Sequence, residues 1–375
     1  MHISSQFDSG NIEVVSAATP GEIHLRIRPD PGPDSFFQWF HFRVAGVQGD
    51  SLTLKILNAG EASYPKGWED YRACVSEDRE NWMRCETDYT DGVLTIRYTP
   101  ATDLVYFAYF APYSRERHHD LIAACQVQPY CQHEVIGETL DGEPMDMLII
   151  GDEDPSKKKF WTIARQHPGE SMAEWFVEGM LTRLLDDSDP ITRALLKLGT
   201  FYVIPNMNPD GSRRGHLRTN AKGINLNREW DKASLENSPE VFHTLAAMDR
   251  VGLDYCLDVH GDEGLPYNFI AGADAIPSVT QKQIDARIAF EAAFVRANPD
   301  FQSDHGYPKA APGKANLAMG STQLAERFGG LAMTLEMPFK DNANDPDPIY
   351  GWSIPRCRLL GAASLDALLA VAADL

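Results

Sequence analysis

No part of this 375-residue chain is apolar for long enough to cross a bilayer. The longest uninterrupted apolar run, which includes Val105–Pro112, falls far short of the roughly 20 residues a spanning helix needs. The opening segment MHISSQFDSG has neither a basic stretch nor an apolar one, so no secretory leader is expected; a cytoplasmic location is the expectation. Positive charge is scarce as well. Lys and Arg number 34 against 54 Asp and Glu, a net charge of −20. Nucleic acid and anionic membranes bind through Lys and Arg, so neither is an expected partner. The six cysteines (Cys74, Cys85, Cys125, Cys131, Cys256, Cys357) form no CxxC pair. They read as buried, reduced thiols. Repeats and low-complexity linkers are missing too. Apolar residues at 43% and charged residues at 23% make an ordinary globular composition.

What is present changes character near Pro112–Ser114. Before it, short strands alternate with turns: Glu22–Arg28, Phe36–Val44, Leu52–Leu57, Val93–Tyr98 and Leu104–Phe110. Pro31-Gly32-Pro33-Asp34 and Asp91-Gly92 supply two of the turns. Strands at this spacing predict an antiparallel β-sandwich over residues 1–112, with its aromatics as core. After it, apolar strands alternate with amphipathic helices. Met147–Ile150, Lys159–Ala164, Thr200–Ile204 and Tyr255–Val259 read as strands. Ser171–Leu185, Gln281–Ala297 and Ala362–Leu375 read as helices. Residues 113–375 are therefore expected to form an α/β domain, a mixed central sheet with helices on both faces.

In such sheets ligands sit at the carboxyl ends of strands, where the chemistry-bearing motifs fall. Arg165-Gln166-His167-Pro168-Gly169-Glu170 follows one strand and precedes a helix. His167 and Glu170 are zinc-compatible donors, and two imidazoles, a carboxylate and a water make a catalytic zinc set. The spacing alone also recurs by chance. Asp258-Val259-His260-Gly261-Asp262-Glu263 ends another strand, where His260 is a third donor or a structural histidine. Asp262 and Glu263 read as solvated or supporting groups. Asn206-Met207-Asn208-Pro209-Asp210-Gly211 leads to Arg218 and then to Asn225, Asn227 and Arg228. A local arginine cluster in so acidic a chain asks for an anion, which guanidinium forks bind in pairs of hydrogen bonds; surface ion pairs are the plainer reading. Glu336 sits within the apolar stretch LAMTLEMPF. Such surroundings raise a carboxyl pKa toward that of a general base, unless a partner holds it.

Taken together and in this order, these motifs resemble the zinc metallocarboxypeptidases of the funnelin type. Among them the chain looks most like the cytosolic carboxypeptidases, which carry a small β-sandwich before the peptidase domain. The resemblance implies that His167, Glu170 and His260 hold one Zn²⁺ per chain and that Glu336 is the general base. It implies that Arg218 polarises the scissile carbonyl, and that Asn227 and Arg228 grip the terminal carboxylate of a peptide or protein substrate. Where the family often has Asp to orient a metal-bound histidine, this chain has Asn225. Tyr307 is the candidate for the mobile substrate-closing tyrosine. No inhibitory pro-segment is seen. The cytosolic branch is associated with removing acidic C-terminal residues, for which Lys314 and Arg327 would supply a basic pocket. Two other readings remain open: a zinc amidohydrolase acting on N-acyl amino acids, and a C-terminal-peptide binder without catalysis. The oligomeric state is not legible.

Overall fold

The computed structural model describes residues 1–375. The first 108 residues supply ten strands in two five-stranded sheets. In chain order the first five are β1 (His2–Ser4), β2 (Glu13–Thr19), β3 (Glu22–Arg26), β4 (His41–Ala45) and β5 (Leu52–Ile56). The next five are β6 (Cys74–Ser76), β7 (Met83–Arg84), β8 (Glu86–Thr90), β9 (Val93–Tyr98) and β10 (Leu104–Ala108). One sheet runs β1-β4-β10-β6-β7 and the other β2-β3-β5-β9-β8. Alternation sorts the side chains: Leu52, Leu54 and Ile56 are buried while Thr53 and Lys55 between them are half-exposed. All pairings are antiparallel except β3 with β5, which is parallel.

Two local outcomes differ from the pattern. The run Phe36–Phe40 lies outside the ladder and bonds instead to neighbouring loops, where Phe36 O accepts from Asp30 N and Phe37 O from Ser63 N. Ser63 Oγ accepts from Phe37 N at 2.9 Å, and Gln38 Oε1 accepts from Tyr64 N at 2.9 Å. The strand β2 carries no apolar alternation to read, since all seven of its residues are exposed at a sheet edge.

A seven-stranded mixed sheet follows. Its strands are β11 (Cys131–Glu138), β12 (Pro144–Ile150), β13 (Lys158–Ala164), β14 (Gly199–Ile204), β15 (Tyr255–Asp262), β16 (Phe269–Gly272) and β17 (Leu331–Pro338). They are ordered β11-β12-β14-β13-β15-β17-β16, and β14, β13, β15 and β17 run parallel. Successive residues face opposite cores. Phe160, Phe201, Val203 and Leu257 join one hydrophobic cluster, while Trp161, Tyr202, Ile204 and Cys256 join the other. Of the helices, α1 (Arg115–Gln126), α2 (Met172–Leu184), α3 (Pro190–Leu198), α4 (Pro209–Arg214) and α5 (Pro239–Val251) precede β15. The remaining three are α6 (Gln281–Ala297), α7 (Gly320–Phe328) and α8 (Ile354–Leu369). Apolar residues of α2, α6 and α8 fill the first cluster, and those of α5 and α7 the second. This is the mixed α/β sheet with helices on both faces, preceded by strands. The last helix begins at Ile354 and ends at Leu369, rather than spanning 362–375. Pro355 sits in its first turn, where a fixed φ suits a helix start and no N–H is missed.

Candidate metal centre and cleft

The centre forms where β13 and β15 end side by side. Beyond Ala164 the backbone turns sharply through Arg165, a non-glycine residue with φ of 57°. Its buried guanidinium holds that left-handed turn in place. It donates to Pro168 O at 2.9 Å and Tyr113 O at 3.0 Å, and it pairs with the buried Glu174. The loop so pinned carries His167 and Glu170.

His167, Glu170 and His260 are buried, and one donor atom of each lies within 4.8 Å of the others. Glu170 Oε1 lies 2.6 Å from His167 Nδ1, and Oε2 lies 2.8 Å from His260 Nδ1. Both imidazoles thus turn Nδ1 inward. Their Nε2 atoms face supporting groups: Asn225 Oδ1 at 3.1 Å for His167, and Asp258 Oδ1 at 3.0 Å for His260. Gln166 donates to Asp258 Oδ2 at 2.7 Å and accepts from Trp230 Nε1 at 2.9 Å. Two imidazoles and a carboxylate, each imidazole anchored through its outer nitrogen, are a donor set that fits a zinc ion. Burial, aided by the charge on Arg218, lowers the His167 pKa to about 4, favouring the neutral ring a metal requires. Burial opposes protonation of His260 as well, but Asp258 and Glu170 outweigh it and raise its pKa well above the ordinary value. A divalent cation among these donors would take over the role of that proton.

Glu336 lies on β17, the strand next to β15, and is the register partner of His260. It is buried, and its Oε2 has no hydrogen-bond partner. Burial raises its pKa well above the ordinary value, with Glu170 and Asp262 adding to the effect and His260 opposing it. An orphaned carboxyl oxygen beside a donor triad is left to meet a reactant in the cleft.

His167, Glu170 and Glu336 border a cleft of about 870 Å³ together with Arg218, Asn227, Arg228 and Tyr307. The Arg218 guanidinium lies over the Tyr64 ring at 5.4 Å and the Phe36 ring at 5.7 Å. Asn227 is held by Gly320 N, which donates to its Oδ1 at 2.7 Å. Arg228 is half-buried, and burial and the nearby Arg218 lower its pKa. Tyr307 is 44% exposed and donates to Asp262 Oδ2 at 2.6 Å. Burial raises the Glu263 pKa to about 8, against the pull of Arg218, and Glu170 and Asp262 add to it.

Two expected pocket residues are elsewhere. Arg327 donates to Asp249 through two nitrogens, at 2.9 and 2.6 Å, on the exposed end of α7. Lys314 sits in an exposed turn, and neither residue borders the cleft. Both precede Glu336 in the chain, but the turn and α7 carry them away from the mouth. Lys66, from a short helical turn of the N-terminal domain, does border it. Sequence reasoning assigned no role to Asp258, Gln166, Tyr64 or Asp30. Asp258 had a signal, because it lies two residues before His260 on a strand and so points to the same side. Tyr64 and Asp30 had none.

Residues 3–110 match the family model for the cytosolic carboxypeptidase N-terminal domain, and residues 125–246 match that for zinc carboxypeptidase. An uncharacterized protein from Zymomonas mobilis is 49% identical over 98% of this chain and 96% of its own length. Mouse cytosolic carboxypeptidase 1 is 27% identical over 70% of this chain, which spans only 25% of that longer protein. A metallo-carboxypeptidase from Burkholderia cenocepacia superposes with a TM-score of 0.96 at 47% identity, covering 100% of this chain and 99% of that one. A Pseudomonas aeruginosa metallo-carboxypeptidase in complex with (2-guanidinoethylmercapto)succinic acid superposes with a TM-score of 0.96 at 41% identity, covering 99% of each.

Proposed function

Because this chain belongs to the zinc carboxypeptidase family, in the branch of the cytosolic carboxypeptidases, we propose that it removes single residues from peptide C-termini at the cleft described above. His167, Glu170 and His260 would hold one zinc ion per chain. Bound there, zinc would lower the pKa of a water to about 7 and polarise the scissile carbonyl. Glu336 takes the proton of the attacking water and returns it to the leaving amine. Arg218 meets the negative charge that develops on the carbonyl oxygen. Asn227 and Arg228 bind the terminal carboxylate, which restricts cleavage to chain ends. Tyr307, half-exposed at the rim, closes over the bound residue. Residues 1–112 and 113–375 serve as two domains of one cleft. The observation that carries this reading is the buried, unpartnered Glu336 oxygen beside the donor triad.

For the residue removed, a basic side chain fits better than an acidic one. An acidic preference required Lys314 and Arg327, which stand outside the cleft. Asp262 and Glu69 border it, with Lys66 the cation left once Arg218 and Arg228 are committed. The Pseudomonas aeruginosa relative, whose ligand joins a guanidino group to succinic acid, supports the same reading.

The test is mass spectrometry of matched peptides ending in Arg, Lys, Glu or Phe, each as free acid and as C-terminal amide, with N-acyl amino acids in parallel. Loss of one residue from free acids only, fastest for Arg or Lys, is expected. Cleavage of amides at equal rate would remove the carboxylate clamp. Turnover of N-acyl amino acids alone would make the enzyme an amidohydrolase, and binding without turnover in zinc-loaded protein would make it a binder. Faster loss of Glu would restore the acidic preference.

A further inference from the structure

The loop that carries Arg218 is held from the N-terminal sheets by one carboxylate. Asp30 is 4% exposed. Its Oδ1 accepts from Leu217 N at 2.8 Å. Its Oδ2 accepts from Arg218 N at 2.8 Å, from Thr219 N at 3.0 Å and from Thr219 Oγ1 at 3.0 Å. Four donors of one short loop therefore converge on one side chain. Without it, three buried or half-buried amides would lose their acceptor.

The surroundings extend the same grip. Both rings that flank the Arg218 guanidinium, Phe36 and Tyr64, come from the N-terminal segment. Next to Asp30, Gly32 at φ 99° meets Gly223 at φ 82° backbone to backbone. A Cβ at Gly223 would lie 2.3 Å from Pro31 O, so the loops can approach this closely only with glycine there. Gly223 is four residues before Asn227. On the other side, Leu217 O accepts from Gly169 N at 2.9 Å, inside the loop that carries His167 and Glu170. Leu217–Thr219 is thus a strap between the metal-donor loop and the N-terminal sheets, and its anchor is Asp30.

We propose that Asp30 is a positioning residue for Arg218, and that the N-terminal domain is a working part of the catalytic centre. The inference rests on the reading of Arg218 as the group that meets the oxyanion. Asp30 acts through the strap, holding the guanidinium at one place and angle above the cleft. Its effect therefore falls on turnover more than on substrate capture, which belongs to Asn227 and Arg228.

A double-mutant cycle on the full-length, zinc-loaded enzyme tests this, with Asp30→Asn and Arg218→Ala, singly and together. Asparagine keeps the shape but cannot accept on both sides of the carboxyl. Asp30→Asn is expected to lower kcat by about 10–100-fold with KM within about threefold, and to leave zinc content unchanged. In the Arg218→Ala background the same change should cost less than about threefold, because residues acting as one unit are not additive. An equal loss of kcat in both backgrounds, or unchanged kcat in Asp30→Asn, overturns the proposal. If Arg218→Ala alone leaves kcat intact, the failure lies with the assigned role of Arg218 instead. Should Asp30→Asn not fold, Thr219→Val, which removes only the hydroxyl donor, goes through the same cycle. A kcat loss confined to the Arg218 background is expected there too, and additivity overturns it.

Discussion

His260 and Glu336 are register partners on the adjacent parallel strands β15 and β17. The proposed metal donor and the proposed proton acceptor are thereby placed by backbone pairing, not by loop conformation. Strand pairing is among the stiffest placements a protein offers, and it puts both groups at the carboxyl ends of the strands.

Glu336→Gln keeps the size and the register and removes the basic oxygen. Its kcat should fall by about 10²–10⁴-fold, while affinity for an uncleaved C-terminal peptide stays within a few-fold. Stopped assays beside calorimetric titration of the peptide check both halves. Wild-type turnover in this variant would mean that another group accepts the proton.

The two groups behind the imidazoles predict opposite shifts in metal affinity. Asp258→Asn replaces the carboxylate at His260 Nε2, and zinc affinity should drop by about 10–100-fold. Asn225→Asp gives His167 a charged partner in place of the amide at 3.1 Å, and affinity should rise. Chelator competition measures both. His167→Ala should remove the bound zinc altogether, as read by elemental analysis.

Arg228→Ala should raise KM at least 10-fold, with a smaller effect on kcat, because the terminal carboxylate proposed to meet it is charged in ground and transition states alike. The variant should also discriminate less between free acids and amides. Steady-state kinetics on matched pairs reads both effects.

A buried acid away from the cleft predicts a pH effect on stability. Burial raises the Glu240 pKa from 4.5 to about 7, its hydrogen bond from Asn220 offsetting only part of that. The folded state therefore favours the protonated form. This contribution is fully present below the unfolded pKa and is lost as pH rises through about 7. Glu240→Gln cannot ionise. It should match the wild type in acid and exceed it near neutrality and above, by at most about 3 kcal/mol. Urea unfolding across the range checks the sign.

Legibility followed distance along the chain. His167 and Glu170 are three residues apart in one loop, and the turn chemistry of Pro168-Gly169 placed them beside a strand end. The strands around them were readable because their residues are apolar and β-prone, as in Val93–Tyr98, whose limits agree with the structure. Where alternation fails, reading failed with it, as for the wholly exposed β2. Asp258 could have been found from the period of two that puts it on the same side of β15 as His260. Asp30 could not, because the amide of Arg218 that it holds lies 188 residues further on.

The amino-acid order by itself determined which donor types are available, that they fall at strand ends, and that the domain around them is α/β. Those properties depend on near neighbours, through side-chain period, turn residues and ligand chemistry. The tertiary structure alone decided that Arg327 pairs with Asp249 instead of entering the cleft. It also decided that the Arg218 guanidinium lies over the Phe36 and Tyr64 rings, and that Asp30 accepts from the amides of its loop. Those partnerships follow from the order of strands in the sheets and from how two loops dock. Both are set by burial summed over the whole chain, and no local pattern carries that sum.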